Sequence, residues 1–242
     1  TSERLFIADD LAAGVSVELA QQQAHYLTNV LRLRPGAKLL VFNGRDGEWQ
    51  ASLNESRKRT AVLGIEQQTR PQEHGPDIDY LFAPLKRSRL DYMVQKATEM
   101  GVRRLRPVIT ERTIAERVNG ERMLANAIEA AEQCGILRVP EVEPPVPLET
   151  ALAAWDPART LIYCDEHETA ADPIATLRKV PAGPVAVLIG PEGGFSNGER
   201  SRLLVNSYVV PLPLGPRIMR ADTAAVAALT LVNAVLGDWQ RL

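Results

Sequence analysis

Apolar positions along the chain follow two different patterns, one on each side of a polar, breaker-rich stretch at Thr69-Arg70-Pro71-Gln72-Glu73-His74-Gly75-Pro76. Before it, Lys38–Phe42, Glu48–Leu53 and Thr60–Ile65 are short strand-like runs, separated by Asn43-Gly44-Arg45-Asp46-Gly47 and by a basic loop at Arg57-Lys58-Arg59. This predicts a small β-rich module. After it, short apolar runs alternate with helical patterns, which argues for an α/β sheet with mostly parallel strands. Ile78–Ala83, Leu105–Ile109, Thr160–Cys164, Val185–Ile189 and Tyr208–Leu212 are the strand candidates. Leu90, Met93, Val94, Ala97 and Met100 recur at helical spacing, so a helix over Ser88–Gly101 has a core face. The predicted division is residues 1–72 and residues 73–242, with Pro144-Pro145-Val146-Pro147 as a stiff connector inside the second part.

Two turns in the last quarter of the chain carry the candidate chemistry. Val185–Ile189 is an unbroken apolar run of the kind a doubly buried parallel strand shows, and it stops at Gly190-Pro191-Glu192-Gly193-Gly194. Ser196 and Glu199 then have capping-box spacing, so a helix should start at Asn197. Strand, glycine turn and capped helix together aim backbone N–H groups at a small polar ligand. One such turn could equally be a tight connection with no ligand. A second follows, however: Tyr208–Leu214 leads into Leu214-Gly215-Pro216-Arg217-Ile218-Met219-Arg220, and an alanine-rich helix begins near Ala221 with Asp222 or Thr223 suited to its N-cap. Two turns of this kind at two strand ends predict a ligand site.

Ile189-Gly190-Pro191-Glu192-Gly193-Gly194-Phe195-Ser196-Asn197-Gly198-Glu199 and Leu214–Ala224 resemble the signature of the SPOUT-class RNA methyltransferases, and within that class the bacterial 16S ribosomal RNA (uracil-N3) methyltransferases. The first block agrees throughout; the second has Met219 for the family's Leu and Asp222 for its Glu. His25–Gly36, Lys86–Asp91 with Gln95–Val102, and Glu132-Gln133-Cys134-Gly135 with Arg138-Val139-Pro140 extend the similarity over nearly the whole chain. Ile136-Leu137 departs from the usual polar pair. The resemblance implies an open parallel sheet with a trefoil knot behind a PUA-like RNA-binding barrel, S-adenosylmethionine as cofactor, 16S rRNA within the small ribosomal subunit as partner, and a homodimer. The knot rests on the resemblance alone, since topology rules disfavour knots.

Carried over residue by residue, the resemblance places the cofactor against Ile189, Gly190, Pro191, Glu192, Gly193, Gly194, Leu214, Gly215, Arg217, Ile218 and Met219. Uracil N3 attacks well only as its proton leaves, so a base and a cation near the ring oxygens are needed. Arg220, Asp222 and Glu192 are the candidates. Asp222 could instead only cap the last helix, and Glu192 could only brace its loop. Two other classes compete. An NAD-type enzyme lacks support, because Phe82-Ala83-Pro84-Leu85-Lys86 stands where a glycine fingerprint would follow the first strand. An RNA-binding protein without catalysis would have no need of both turns.

The chain of 242 residues is 45% apolar and can bury a core. Its net charge of −2 opposes a nucleic-acid role only in sum. Basic residues cluster: Arg32 and Arg34 lie together, Lys86, Arg87 and Arg89 sit at a predicted helix start where cations are unfavourable, and Arg103, Arg104, Arg106, Arg112, Arg117 and Arg122 follow. Arg32, Arg34, Lys86, Arg87 and Arg89 are the predicted phosphate contacts. Cys134 and Cys164 are too few for a disulfide framework, and His25, His74 and His167 have no metal-like spacing, so no metal is expected. No run is long enough to span a bilayer and no signal peptide is read, which points to the cytoplasm.

Overall fold

The computed structural model describes residues 3–57, 60–114, 117–165, 167 and 172–241, so Lys58 and Arg59 of the basic loop lie outside the described residues. The chain divides into two compact units. The first holds the chain up to His74 together with Ala131–Val139; the second holds Gly75–Ala130 and the chain from Pro140 onward. The sequence division puts the short segment Ala131–Val139 in the second part, but it belongs with the first because Arg4 donates to the carbonyls of Ala131, Glu132 and Ile136.

The first unit contains β1 (Arg4–Phe6), β2 (Ser16–Glu18), α1 (Gln21–His25) running into a π-helical turn at Tyr26–Val30, β3 (Lys38–Phe42), β4 (Glu48–Ser56) and β5 (Ala61–Arg70). They form a five-stranded sheet in the order β1-β3-β4-β5-β2, with β1 parallel to β3 and the other pairs antiparallel. Alternate residues Leu39, Val41, Ala51, Leu53, Leu63 and Ile65 point to one core. Glu48 is buried and is met by Arg4, Thr69 and Arg70. After the π turn, Arg32 adopts φ 55°, the one positive φ of a non-glycine among the described residues. That conformation costs an L-residue about 1–2 kcal/mol.

The second unit contains β6 (Ile78–Phe82), α2 (Arg87–Glu99), β7 (Arg104–Ile109), α3 (Gly120–Cys134), whose last turn belongs to the first unit, β8 (Glu141–Val142), β9 (Val146–Pro147), α4 (Leu148–Ala153), β10 (Thr160–Cys164), α5 (Pro173–Leu177), β11 (Val185–Ile189), α6 (Asn197–Leu204), β12 (Val209–Leu212) and α7 (Ala221–Val235). The sheet runs β12-β10-β11-β6-β7-β8, with β9 also paired to β7, and its pairs are parallel. All residues of β6 and β11 are buried, as expected for strands covered on both faces. Each fully buried Leu or Val there is worth roughly 1.5–3 kcal/mol. The Pro144–Pro147 connector is less isolated than expected, since Val146 and Pro147 join the sheet edge beside Val108 and Ile109. In α2 the buried face is Leu90, Met93, Val94, Ala97 and Thr98. Met100 caps the helix, and Thr98 takes the buried place by turning its hydroxyl onto the Val94 carbonyl.

Candidate active site

Because β10, β11 and β12 are neighbours and parallel, their carboxyl ends open side by side, which is where open α/β sheets bind ligands. A cavity of about 250 Å³ lies there. Its wall takes Ile189, Gly190, Pro191, Glu192 and Gly194 from the first turn, and Leu214, Gly215, Arg217, Ile218, Met219 and Arg220 from the second. Tyr163, Cys164, Asp165 and His167 line it as well, at the end of β10. Sequence reasoning missed these four, because only the strand order reveals that β10 lies between the two turns.

The first turn is built as its sequence requires. Gly194 has φ 67° and donates to the Pro191 carbonyl at 2.9 Å. Ser196 caps α6, and the Glu199 carboxylate accepts from the Ser196 amide and also from the Glu111 amide. Arg112 donates to the Gly193 carbonyl at 2.7 Å. The loop after β7 therefore holds the turn from behind. Gly193 is absent from the cavity wall and faces the Arg112 side chain. On the β10 side, Asp165 is buried and bonded by Arg200 and by the His167 amide. Burial pushes the Cys164 thiol up to about 12, so it lines the cavity as a neutral group.

The three catalytic candidates separate. Glu192 and Arg220 line the cavity; Asp222 does not. Neither Asp222 nor Thr223 is the N-cap of α7, which is Arg220 with no side-chain cap. Asp222 lies inside the first turn because the helix starts at Ala221, directly after the extended backbone of Arg220 and ahead of the expected cap. Its two carboxylate oxygens accept from Arg89 Nη2 at 3.1 Å and Nε at 3.2 Å. Those bonds, followed by the Thr223 amide, hold its carboxyl below the usual range against a desolvation that would raise it. Arg89 Nη1 donates to Glu192 at 2.7 Å.

The cations expected to meet phosphate also separate. Arg32, Arg34, Lys86 and Arg87 reach solvent, whereas Arg89 is committed to Asp222 and Glu192. Arg104 and Arg106 lie against the buried Asp79 and against Glu143, Arg103 pairs with Asp77, and Arg122 pairs with Asp91. The region from Lys86 to Arg122 is positive in sequence but largely neutralised in the fold. Of the alanines of α7, Ala224, Ala225 and Ala228 are buried on a helix that packs on α2, and Ala227 is half-buried.

The parallel sheet carries its two glycine turns on either side of β10, and a family model described as an RNA methyltransferase domain matches residues 72–233, while one described as an RNA methyltransferase PUA domain matches residues 19–66. The chain belongs to the ribosomal RNA small subunit methyltransferase E family. The member from Rickettsia conorii is 30% identical over 95% of this chain and 94% of its own length. The member from Synechocystis sp. is 30% identical over 96% of this chain and 78% of its own. Among solved structures, the ribosomal RNA small subunit methyltransferase E of Neisseria gonorrhoeae, described as bound to S-adenosyl methionine, superposes with a TM-score of 0.88 at 27% identity, covering 99% of this chain and 100% of that one.

Proposed function

We propose that this protein transfers the methyl group of S-adenosylmethionine to N3 of a uridine in 16S rRNA, in the cytoplasm and as a homodimer. The observation that carries the reading is the cavity between the two glycine turns, in a chain whose relative from Neisseria gonorrhoeae holds S-adenosylmethionine. Its chemistry fits that ligand. Ile189, Phe195, Leu212 and Ala224 supply apolar wall, the turns supply backbone polar groups, and Asp165, Glu192, Arg217 and Arg220 supply charge. Ligand sites combine mostly apolar walls with a few placed polar groups in this way.

When bound, the cofactor supplies an electrophilic methyl group on a sulfonium. The two turns would hold it at a fixed place, and alignment of the acceptor can supply much of the rate. Arg220, with its side chain 76% exposed at the cavity rim, is suited to stabilise negative charge developing on the uracil oxygens. Glu192 lines the cavity and is the carboxylate suited to take the N3 proton. Asp222 does not reach the cavity wall and has both carboxylate oxygens on Arg89, which suits it to a brace rather than to contact with the acceptor.

The same reading takes the parallel sheet to be trefoil-knotted and the five-stranded sheet to close as a PUA-like barrel. In support of the knot, β11 lies between β10 and β6 while β12 lies beyond β10, and α7 then returns to pack on α2 and β11. In support of the barrel, register shifts between β4 and β5 bend the sheet around its core. A partner subunit in the proposed dimer would have Ile218, 91% exposed on the second turn, available to cover. Arg32, Arg34, Lys86 and Arg87 are the cations suited to RNA phosphates, and the unfavourable backbone of Arg32 is the kind of strain that collects at functional sites. Isothermal titration with S-adenosylmethionine, NAD and ATP tests the reading: binding of S-adenosylmethionine alone is expected. Binding of NAD or ATP instead would make this a different nucleotide-binding enzyme, and binding of none would leave an RNA-binding protein.

A further inference from the structure

We propose that Arg89 is a positioning residue of the reaction, a single guanidinium that ties the first cofactor turn to the helix after the second by holding Glu192 and Asp222 together. Arg89 stands in the first turn of α2, a helix that carries no acidic residue there and whose N-cap, Lys86, makes no side-chain cap. A cation at a helix N-terminus is unfavourable by itself. Here the guanidinium forks: Nη2 and Nε take the two oxygens of Asp222, and Nη1 takes Glu192. Such bidentate, charge-assisted bonds fix geometry as well as charge, which a lysine cannot do. The two carboxylates come from different segments, Glu192 from the loop after β11 and Asp222 from the start of α7, 30 residues later. Without Arg89 between them, like charges would face each other at the edge of the cavity.

The groups around this cluster come from four elements: Arg89 from α2, Glu192 from the first turn, Arg220 from the entry to α7, and the buried Tyr80 hydroxyl of β6. Arg220 Nε lies 4.0 Å from Asp222 Oδ1, at the outer limit of an ion pair, so Arg89 is the principal partner of Asp222. Through Asp222 it fixes the first turn of α7 and with it Arg220, and through Glu192 it fixes the carboxylate that lines the cavity. This role rests on the functional reading above.

The test is a double-mutant cycle read in methyl transfer to small-subunit rRNA. Loss of a hydrogen bond between charged groups corresponds to roughly a 10- to 100-fold change. Arg89→Gln should lower kcat by that factor, while the KM for RNA changes by less than about threefold, since the guanidinium is taken up by Asp222 and Glu192. Asp222→Asn should give a comparable loss, and the double variant should be no more than about twofold slower than the worse single variant, because residues acting as one unit are non-additive. The acid limb of the rate profile should also move to higher pH in Arg89→Gln, as Asp222 loses the cation that favours its ionised form. Multiplying losses in the double variant, an unmoved acid limb, or a KM effect in place of a kcat effect would overturn the proposal. If Arg89→Gln does not fold, Arg89→Lys carries the same cycle, with a smaller loss expected and wild-type kcat overturning it. Failure of the wild-type protein to bind S-adenosylmethionine would instead sink the functional reading.

Discussion

The ring of Phe195 packs directly over Gly190, so that a Cβ at position 190 would come within 2.6 Å of the ring's Cε2 carbon. The first glycine of the turn is thus required by the protein's own packing. Phe195 belongs to the core of the second unit, edge-on to Tyr163 at 5.2 Å between ring centroids. Gly190→Ala must push the ring away and should destabilise the fold by about 1–3 kcal/mol, as overpacking does. Phe195→Leu in the Gly190→Ala background should recover part of that loss. Thermal melts of wild type and both variants check this, and an unchanged Tm in Gly190→Ala would contradict it.

Exposed and paired arginines should behave differently towards RNA. Neutralising Arg32, Arg34, Lys86 and Arg87 together should weaken binding to all RNAs and reduce the salt slope by about 0.7–0.9 for each phosphate that is no longer neutralised. Arg104→Ala and Arg106→Ala should leave the slope alone and lower the Tm, because each uncovers the buried Asp79. Filter binding over a salt series separates the two groups. An unaltered slope in the quadruple variant would mean that its charges only face solvent.

Glu48 gives the first unit a defined acid sensitivity. Desolvation raises its carboxyl, but hydrogen bonds from Arg70, Thr69 and Arg4 outweigh it and hold the group below its ordinary 4.5. A folded-state value below the unfolded one means that the stabilisation is complete above about 4.5 and is lost as pH falls through the lower folded value. Glu48→Gln should cost about 1.5–3 kcal/mol at neutral pH by removing charge-assisted hydrogen bonds to Arg4 and Arg70, and should flatten the acid limb of stability against pH. Denaturant melts of wild type and variant between neutral and acid pH test this, and parallel curves would contradict it.

Arg220→Ala should slow methyl transfer by about 2–4 kcal/mol of barrier, as loss of an oxyanion-type donor does, with nearly unchanged S-adenosylmethionine affinity. Single-turnover rates with titration calorimetry on the same variant provide the comparison. A weakened cofactor affinity with normal transfer would make Arg220 a cofactor ligand instead.

The strands, the capping box at Ser196 and both glycine turns are legible in the sequence because each is set by residues adjacent along the chain. What cannot be read there depends on partners far away in sequence. Arg104 reads as one member of a basic cluster until the parallel register places it beside Asp79, 25 positions earlier. Arg89 reads as a phosphate ligand, and its pairing with Asp222, 133 positions on, is not visible in the sequence. Asp222 is a good N-cap by residue type, yet the helix begins just before it and its carboxylate turns to Arg89. The end of β10 reaches the cavity only because strand order, which periodicity does not encode, puts it between β11 and β12.

Methyl transfer to uracil N3 is tested most directly by incubating the protein with methyl-labelled S-adenosylmethionine and small ribosomal subunits lacking the modification, digesting the 16S rRNA and identifying the labelled nucleoside by mass spectrometry. Label is expected in 3-methyluridine. Label on another atom or base, or none in RNA while S-adenosylmethionine is bound, would contradict that transfer.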